Sequence, residues 1–333
     1  MKITTVPIRY VRVILESAVH RGYDGDRILS NCGISKKLLL QDKARLSAND
    51  YNNFARQVMI LMEDEFCGFL DKPGKIGTFA MMTRACVNCP TLGEFIQRSI
   101  KFSNIMTDCI EIALDKKADQ TRNVIRPKIG MRDPNNFLSF VMLGIAHRLF
   151  SWIIGQPLLL QTATFAHEQP DYANEYNFLF KTSIKFGQPQ FSLCFPASYL
   201  ALPNIQTERT LDQFLQLPVL QLMSLSSSEN SAVIKISKMI NAYVAADFPE
   251  FESIASELCM TTATLRRRLR EEGSSYRRIK DDLRRDTAIF NLGRASMSIE
   301  QVAESVGFSE PTSFFRAFKR WTGVTPRVYV KSN

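Results

Sequence analysis

The last hundred residues carry a short pattern written twice, and that doubling constrains the fold more than any other feature of the chain. The first copy reads Ile254-Ala255-Ser256-Glu257-Leu258-Cys259-Met260-Thr261 and continues Thr264-Leu265-Arg266-Arg267-Arg268-Leu269. The second reads Val302-Ala303-Glu304-Ser305-Val306-Gly307-Phe308-Ser309 and continues Ser313-Phe314-Phe315-Arg316-Ala317-Phe318, with one extra residue in the turn. Each copy suits two helices that meet at a steep angle. Ala255 and Ala303 are small enough for the crossing point. Four residues later the chain must reverse, and Gly307 accepts the positive φ this needs; Cys259 accepts it less readily. Thr261 and Ser309 are expected to cap the following helices, with Pro311 suited to a first turn. Leu265 with Leu269, and Phe314 with Phe318, sit at i,i+4 and anchor the second helix of each pair. Ser298 and Gln301 have the spacing of a capping box at the start of the second copy.

With one face of each second helix anchored, the other is free. The free face includes Thr262, Ala263, Arg266 and Arg267 in the first copy, and Thr312, Ser313 and Arg316 in the second. An exposed helix of this kind fits the major groove of duplex DNA, where arginine can pair bidentately with guanine. Between the copies, Ser275 to Leu292 is long enough for one stiff helix, which would hold the two units about one DNA turn, roughly 34 Å, apart. Charge agrees with a polyanionic partner: the chain has a net charge of +9, and residues 230–333 hold 17 Lys+Arg against 12 Asp+Glu, while residues 1–229 hold 25 against 21. Arg277, Arg278, Arg284 and Arg285 interleave with Asp281, Asp282 and Asp286, and are read as intrahelical ion pairs such as Asp281 with Arg285. Phe308, Phe314, Phe318, Trp321 and Tyr329 are read as inward-facing core residues.

Two runs are distinctive enough to identify a family. Gly307-Phe308-Ser309 is followed by Phe314-x-Arg316-x-Phe318-Lys319-x-x-x-Gly323-x-Thr325-Pro326-x-x-Tyr329, and the first unit carries Thr264-Leu265-x-Arg267-x-Leu269. In these residues, the segment 250–330 resembles the AraC/XylS family of bacterial regulators. The resemblance implies that both second helices enter adjacent major grooves of promoter DNA, with recognition on Thr262, Ala263, Arg266, Arg267, Thr312, Ser313 and Arg316. It also implies RNA polymerase as a partner and activation as the more usual outcome. Two positions depart from the family pattern: Cys259 replaces a common glycine, and Val330 stands where an arginine usually follows the tyrosine.

Upstream, the chain alternates helical and strand-like patterns. Helices are expected at Tyr10 to His20 with Gly22 as a stop, from Ser47 and Asp50 to about Asp64, at Thr91 to Met106 and at Pro134 to Ile154. Strands are expected at Cys109 to Leu114, Arg122 to Lys128, Leu160 to Ala166 and Gln190 to Phe195. Met223 to Ser231 is Ser-rich and reads as a linker. The expected organisation is an α+β N-terminal domain at 1–222, a linker at 223–231, and an all-α domain at 232–333 of two tandem helix-turn-helix units joined by a long helix. Pro90-Thr91-Leu92-Gly93-Glu94 and Phe186-Gly187-Gln188-Pro189-Gln190-Phe191 also resemble the long N-terminal effector and dimerisation domain of one AraC branch. This implies a small-molecule effector and a homodimer.

Other function classes fit poorly. Met1-Lys2-Ile3-Thr4-Thr5-Val6-Pro7 lacks the apolar core of an export signal, so a cytoplasmic protein with reduced thiols is expected. Phe137 to Ile154 is strongly apolar but carries His147 and Arg148 at its middle, so it reads as a buried helix and not a membrane span. Cys86 and Cys89 form a lone C-x-x-C with no second ligand pair, and no metal or cofactor is expected. His20, His147 and His167 belong to no catalytic arrangement, so no enzyme is expected. An Ada-type DNA repair enzyme would need a four-cysteine zinc cluster and a Pro-Cys-His-Arg motif that this chain lacks. A nucleoid-associated protein of low specificity fits poorly with two rigid reading helices.

Overall fold

The structure is a computed structural model; it describes residues 5–117, 119–133, 135–216, 232–240, 243, 248–293 and 297–330. A short strand β1 (Thr5–Pro7) opens it and pairs antiparallel with β2 (Arg45–Ser47), Val6 facing Leu46. Between the two strands lie α1 (Ile8–His20), α2 (Gly25–Asn31) and α3 (Lys36–Leu39); α4 (Ala48–Met62) follows β2. Helix α1 buries Val11, Ile14 and Ala18, the three- and four-residue spacing that predicted it, and the chain leaves it through Gly22 at φ 90°. The Ser47 hydroxyl accepts from the Asp50 amide at 3.1 Å and thereby caps α4.

Next come α5 (Thr78–Cys86), α6 (Leu92–Met106), β3 (Ile110–Lys117), β4 (Gln120–Pro127), α7 (Phe137–Ile153), β5 (Thr162–Thr164), α8 (Asn174–Phe180), β6 (Ser183–Lys185), β7 (Phe191–Pro196) and α9 (Glu208–Leu215). The strands form one sheet in the order β3-β4-β7-β5-β6; β5 and β6 run parallel and the other pairs antiparallel. The four expected strands are all there, with ends displaced by one to three residues, and the short β6 is added to them. Helix α7 begins at Phe137, where the Asp133 carboxylate accepts from the amides of Leu138 at 3.0 Å and Ser139 at 2.9 Å. It is buried through most of its length, including His147 and Arg148. The Arg148 guanidinium is partnered, donating to the Leu179 carbonyl at 2.9 Å. Leu92, Phe95 and Ile96 of α6, Phe150 and Ile153 of α7, and Leu211 and Phe214 of α9 close one core. Phe140, Phe165, Tyr176 and Phe180 form a second aromatic cluster, edge-to-face at three contacts and tilted between Phe165 and Phe180. No described helix is long and apolar enough to cross a membrane.

The C-terminal region is helical: α10 (Ala232–Ile240), α11 (Phe251–Glu257), α12 (Thr262–Glu271), α13 (Tyr276–Leu292), α14 (Ile299–Ser305) and α15 (Pro311–Thr322). A mixed α+β region followed by a helical region is the fold class the sequence predicts. The compact units, however, do not follow sequence order. One gathers residues 17–23 and 56–216; the other gathers residues 5–16 and 24–55 with the helices from 232 onward. The anticipated linker 223–231 lies outside the described residues. The first strands thus pack with the C-terminal helices, and the Thr5 hydroxyl donates to Asp286 across 281 residues of sequence.

Candidate nucleic-acid interface

The first helix-turn-helix is built on a small apolar core. Ile254 and Ala255 of α11 meet Leu265 and Leu269 of α12, with Ile236 and Ile240 of α10 and Ile279 of α13 closing around them. Ala255 is the small residue at the crossing, and it is buried. The chain turns through Cys259 at φ 54°, a left-handed conformation that glycine adopts freely and cysteine only at a cost. Thr261 then caps α12, its hydroxyl accepting from the Thr264 amide at 3.2 Å. The carboxylate of Glu272, just beyond α12, accepts from the first amides of α10, Ala232 at 2.8 Å and Val233 at 3.2 Å, and ties that helix into the unit.

The second unit repeats the plan with different detail. Ser298 and Gln301 make the expected reciprocal bonds at 3.2 and 2.8 Å, and Gly307 turns the chain at φ 82°. The N-cap of α15 is Glu310, not Ser309, and no side chain caps that helix. The extra residue in this turn leaves Ser309 one position too early, and Pro311 at the first helical position has no N–H that would need a partner. Phe314 and Phe318 are fully buried, and Phe318 meets Tyr329 edge-on at 5.2 Å. Gly323 at φ 78° ends α15.

These anchors leave the predicted reading residues on the outside. Ala263, Arg266, Arg267, Thr312 and Arg316 are exposed, and Thr262 and Ser313 are half-buried in the first turns of their helices. The Arg266 guanidinium rests over the Phe251 ring at 5.4 Å. Arg267 is 73% exposed and lies 3.8 Å from Glu271, an ion pair weak enough for a phosphate or a base to displace. Arg270 and Arg320 are also exposed and follow Arg266 and Arg316 by four residues, so they extend the same faces. The same four-residue spacing is visible in the sequence, within a run of like charge around Arg266.

The connecting helix α13 differs from the expected ion-pair ladder. Arg285 pairs with Asp282 at 2.6 Å and Asp286 at 2.8 Å, and not with Asp281. An arginine on a helix leans toward the preceding turn, which brings Asp282 within reach, while Thr5 holds Asp286 in place. The Arg284 guanidinium lies 5.3 Å from the Phe248 ring and 5.8 Å from the Phe308 ring.

Elsewhere, Cys86 and Cys89 are buried. Burial pushes the Cys86 thiol up to about 11 and the Cys89 thiol upward as well, so both stay protonated at neutral pH. Among the described residues, no group of His, Cys, Asp and Glu is placed to hold a metal ion.

Comparison with known proteins adds to this geometry. The arabinose-binding N-terminal domain of AraC transcription regulators matches residues 22–204, more than half of the chain, and a helix-turn-helix domain matches residues 254–332. The ornithine utilization regulator of Pseudomonas aeruginosa is 24% identical over 327 residues, which cover 97% of this chain and 96% of the relative. The transcriptional regulator VqsM of the same organism is 41% identical over 76 residues, 23% of each chain. The crystal structure of the transcriptional regulator CdpR, also from Pseudomonas aeruginosa, is 22% identical, covers 78% of this chain and 84% of its own, and superposes with a TM-score of 0.33. A tandem helix-turn-helix with the outer face of each second helix exposed, joined to an arabinose-binding-type N-terminal domain, places the chain in the AraC/XylS family of DNA-binding transcription regulators.

Proposed function

We propose that the chain is a one-component regulator in which the region upstream of residues 223–231 senses a small metabolite and self-associates, while residues 232–333 read a promoter. Thr262, Ala263, Arg266 and Arg267 of α12, and Thr312, Ser313 and Arg316 of α15, contact DNA, with Arg267 the leading candidate for a guanine. The observation that carries this reading is the contrast between the two faces of each helix. Leu265, Leu269, Phe314 and Phe318 are buried, while the arginines between them are exposed. The working setting is the cytoplasm, the role is activation with RNA polymerase as partner, and no catalytic step is involved.

A homodimer would place two such modules on neighbouring half-sites and raise affinity through effective concentration. An effector would act by favouring one arrangement, which requires unequal affinity for the two. The experiment is selection of binding sites from a random duplex library by the full-length chain. The expected product has two preferred blocks about one helical turn apart per module. Enrichment of no shared sequence would overturn the reading. The solution mass of the full chain, and melting curves with added metabolites, test dimerisation and sensing. Ornithine belongs among those metabolites because of the relative that shares most of this chain's length.

A further inference from the structure

Helix α13 joins the two helix-turn-helix units, and at 1.5 Å per residue its 17 residues span about 26 Å. A helix held only at its ends would leave the distance between α12 and α15 soft. Instead, it is gripped near its middle. Arg284 lies between Phe248, which packs on the core of the first unit, and Phe308, in the turn of the second. Arg285 is only 16% exposed and is paired with Asp282 and Asp286. Asp286 also receives the Thr5 hydroxyl at 2.7 Å. Thr5 in turn accepts from the Arg45 Nε at 2.7 Å through its hydroxyl oxygen, and from an Arg45 terminal nitrogen at 2.9 Å through its backbone carbonyl. The backbone amide of Arg45 donates to the Tyr329 hydroxyl at 3.1 Å.

The β1–β2 ribbon is therefore fastened to α13 on one side and to the end of the second unit on the other. The residues flanking it reinforce the attachment. A Cβ at Gly323, the C-cap of α15, would lie 2.7 Å from the Gln41 side-chain oxygen, and one at Gly293, the C-cap of α13, would lie 3.5 Å from the Asp50 carboxylate. These contacts fall on the second unit, and Arg284 passes the restraint to the first.

We propose that Thr5, Arg45 and Arg284 are positioning residues that set the separation of the two reading helices, so that the DNA-binding body of this chain includes residues 5–16 and 24–55. One base pair changes the separation of two sites by about 3.4 Å. A hydroxyl-to-carboxylate bond loses its geometry with a shift well under that distance. The ribbon thus makes operator spacing a property of the N-terminal segment as well as of α13. This inference rests on the two-helix reading of DNA proposed above.

The test uses the full-length chain and the duplex it selects from a random library. Affinity is measured for that duplex and for one with a single base pair inserted between the two preferred blocks. Wild type is expected to bind the inserted duplex far more weakly. Thr5→Val keeps the branched shape but removes the hydroxyl; it should lower affinity for the selected duplex by about tenfold and shrink the insertion penalty severalfold. Thr5→Ser should restore both values. Arg284→Met, which keeps the length but removes the cation, should behave like Thr5→Val and serves if that variant does not fold. An insertion penalty equal to wild type in the folded variants would overturn the inference, even if affinity fell. Failure of wild type to select two blocks would overturn the two-helix reading and this inference together.

Discussion

Replacing His147 by glutamine should make the unit built around α7 less sensitive to acid. The His147 Nε2 lies 2.8 Å from the Leu158 carbonyl oxygen, which can only accept, so the ring proton sits on that nitrogen. Nδ1 is buried and has no hydrogen-bond partner among the described residues. Protonating it would create a second buried N–H with nothing to receive it, beside the Arg148 charge. Burial first, and then Arg148, hold the imidazole at about 4 in place of its ordinary 6.5. Between those values the unfolded chain binds a proton that the native protein does not. The stabilisation is therefore fully present above pH 6.5 and is lost as pH falls toward 4. Linkage puts the loss at about 2 kcal/mol by pH 5 and about 3 kcal/mol by pH 4. Glutamine can still donate to Leu158 but does not titrate. Trp152 lies in α7 and stacks on Phe214, so its fluorescence reports this unit once Trp321, the second tryptophan of the chain, is changed to phenylalanine. Urea unfolding in that background, near neutral pH and at about pH 5, should show the parent losing about 2 kcal/mol more than His147→Gln. Parallel pH profiles would refute the reasoning.

Three further outcomes follow from the C-terminal helices. Arg267→Ala should weaken binding to the selected duplex by about 1–3 kcal/mol and relax preference at one base position, with melting temperature unchanged; a uniform loss on every sequence would make Arg267 a phosphate contact. Phe318→Ala removes a fully buried ring and should destabilise the second unit by about 3–5 kcal/mol, read by Trp321 fluorescence during unfolding; a loss below about 1 kcal/mol would contradict the packing described. Cys259→Gly should raise stability by about 1 kcal/mol, because the side chain is exposed and the backbone is held at φ 54°; a lower melting temperature would mean that the cysteine makes a contact worth more than its strain.

What could be read in the sequence was mostly local. A turn that needs a positive φ, a threonine that caps the next helix and leucines four apart are set by neighbours within ten residues, and Gly307, Thr261, Leu265 and Leu269 all behave as their spacing predicts. The misreadings have a common cause. Asp281 was the obvious i,i+4 partner of Arg285 on an isolated helix, but Thr5 holds Asp286 and draws the arginine elsewhere. Strands β1 and β2 have three residues each, too few for a period to be visible, and their pairing joins residues about forty apart. No pattern within the last hundred residues could announce that Thr5 would touch them. For the same reason the upstream cores were legible as apolar helices and strands but not as particular clusters. Arg266 is exposed, as its spacing predicts, yet its resting place over Phe251 depends on how α11 and α12 meet.

The ribbon also fixes an order of events during synthesis. Residues 5–7 and 45–47 emerge early, with Val6 and Leu46 presenting side chains that are buried in the finished protein. Their partner Asp286 follows almost 240 residues later. At ~5–20 residues per second, that is a wait of roughly ten to fifty seconds. Throughout it, the N-terminal segment is an unfinished surface, and its long-range closure is the kind of contact that slows folding. Any pause, truncation or premature release before α13 is made leaves this early segment without the surface it was built to cover. A nascent fragment that stops short of α13 therefore lacks the carboxylate on which the ribbon closes.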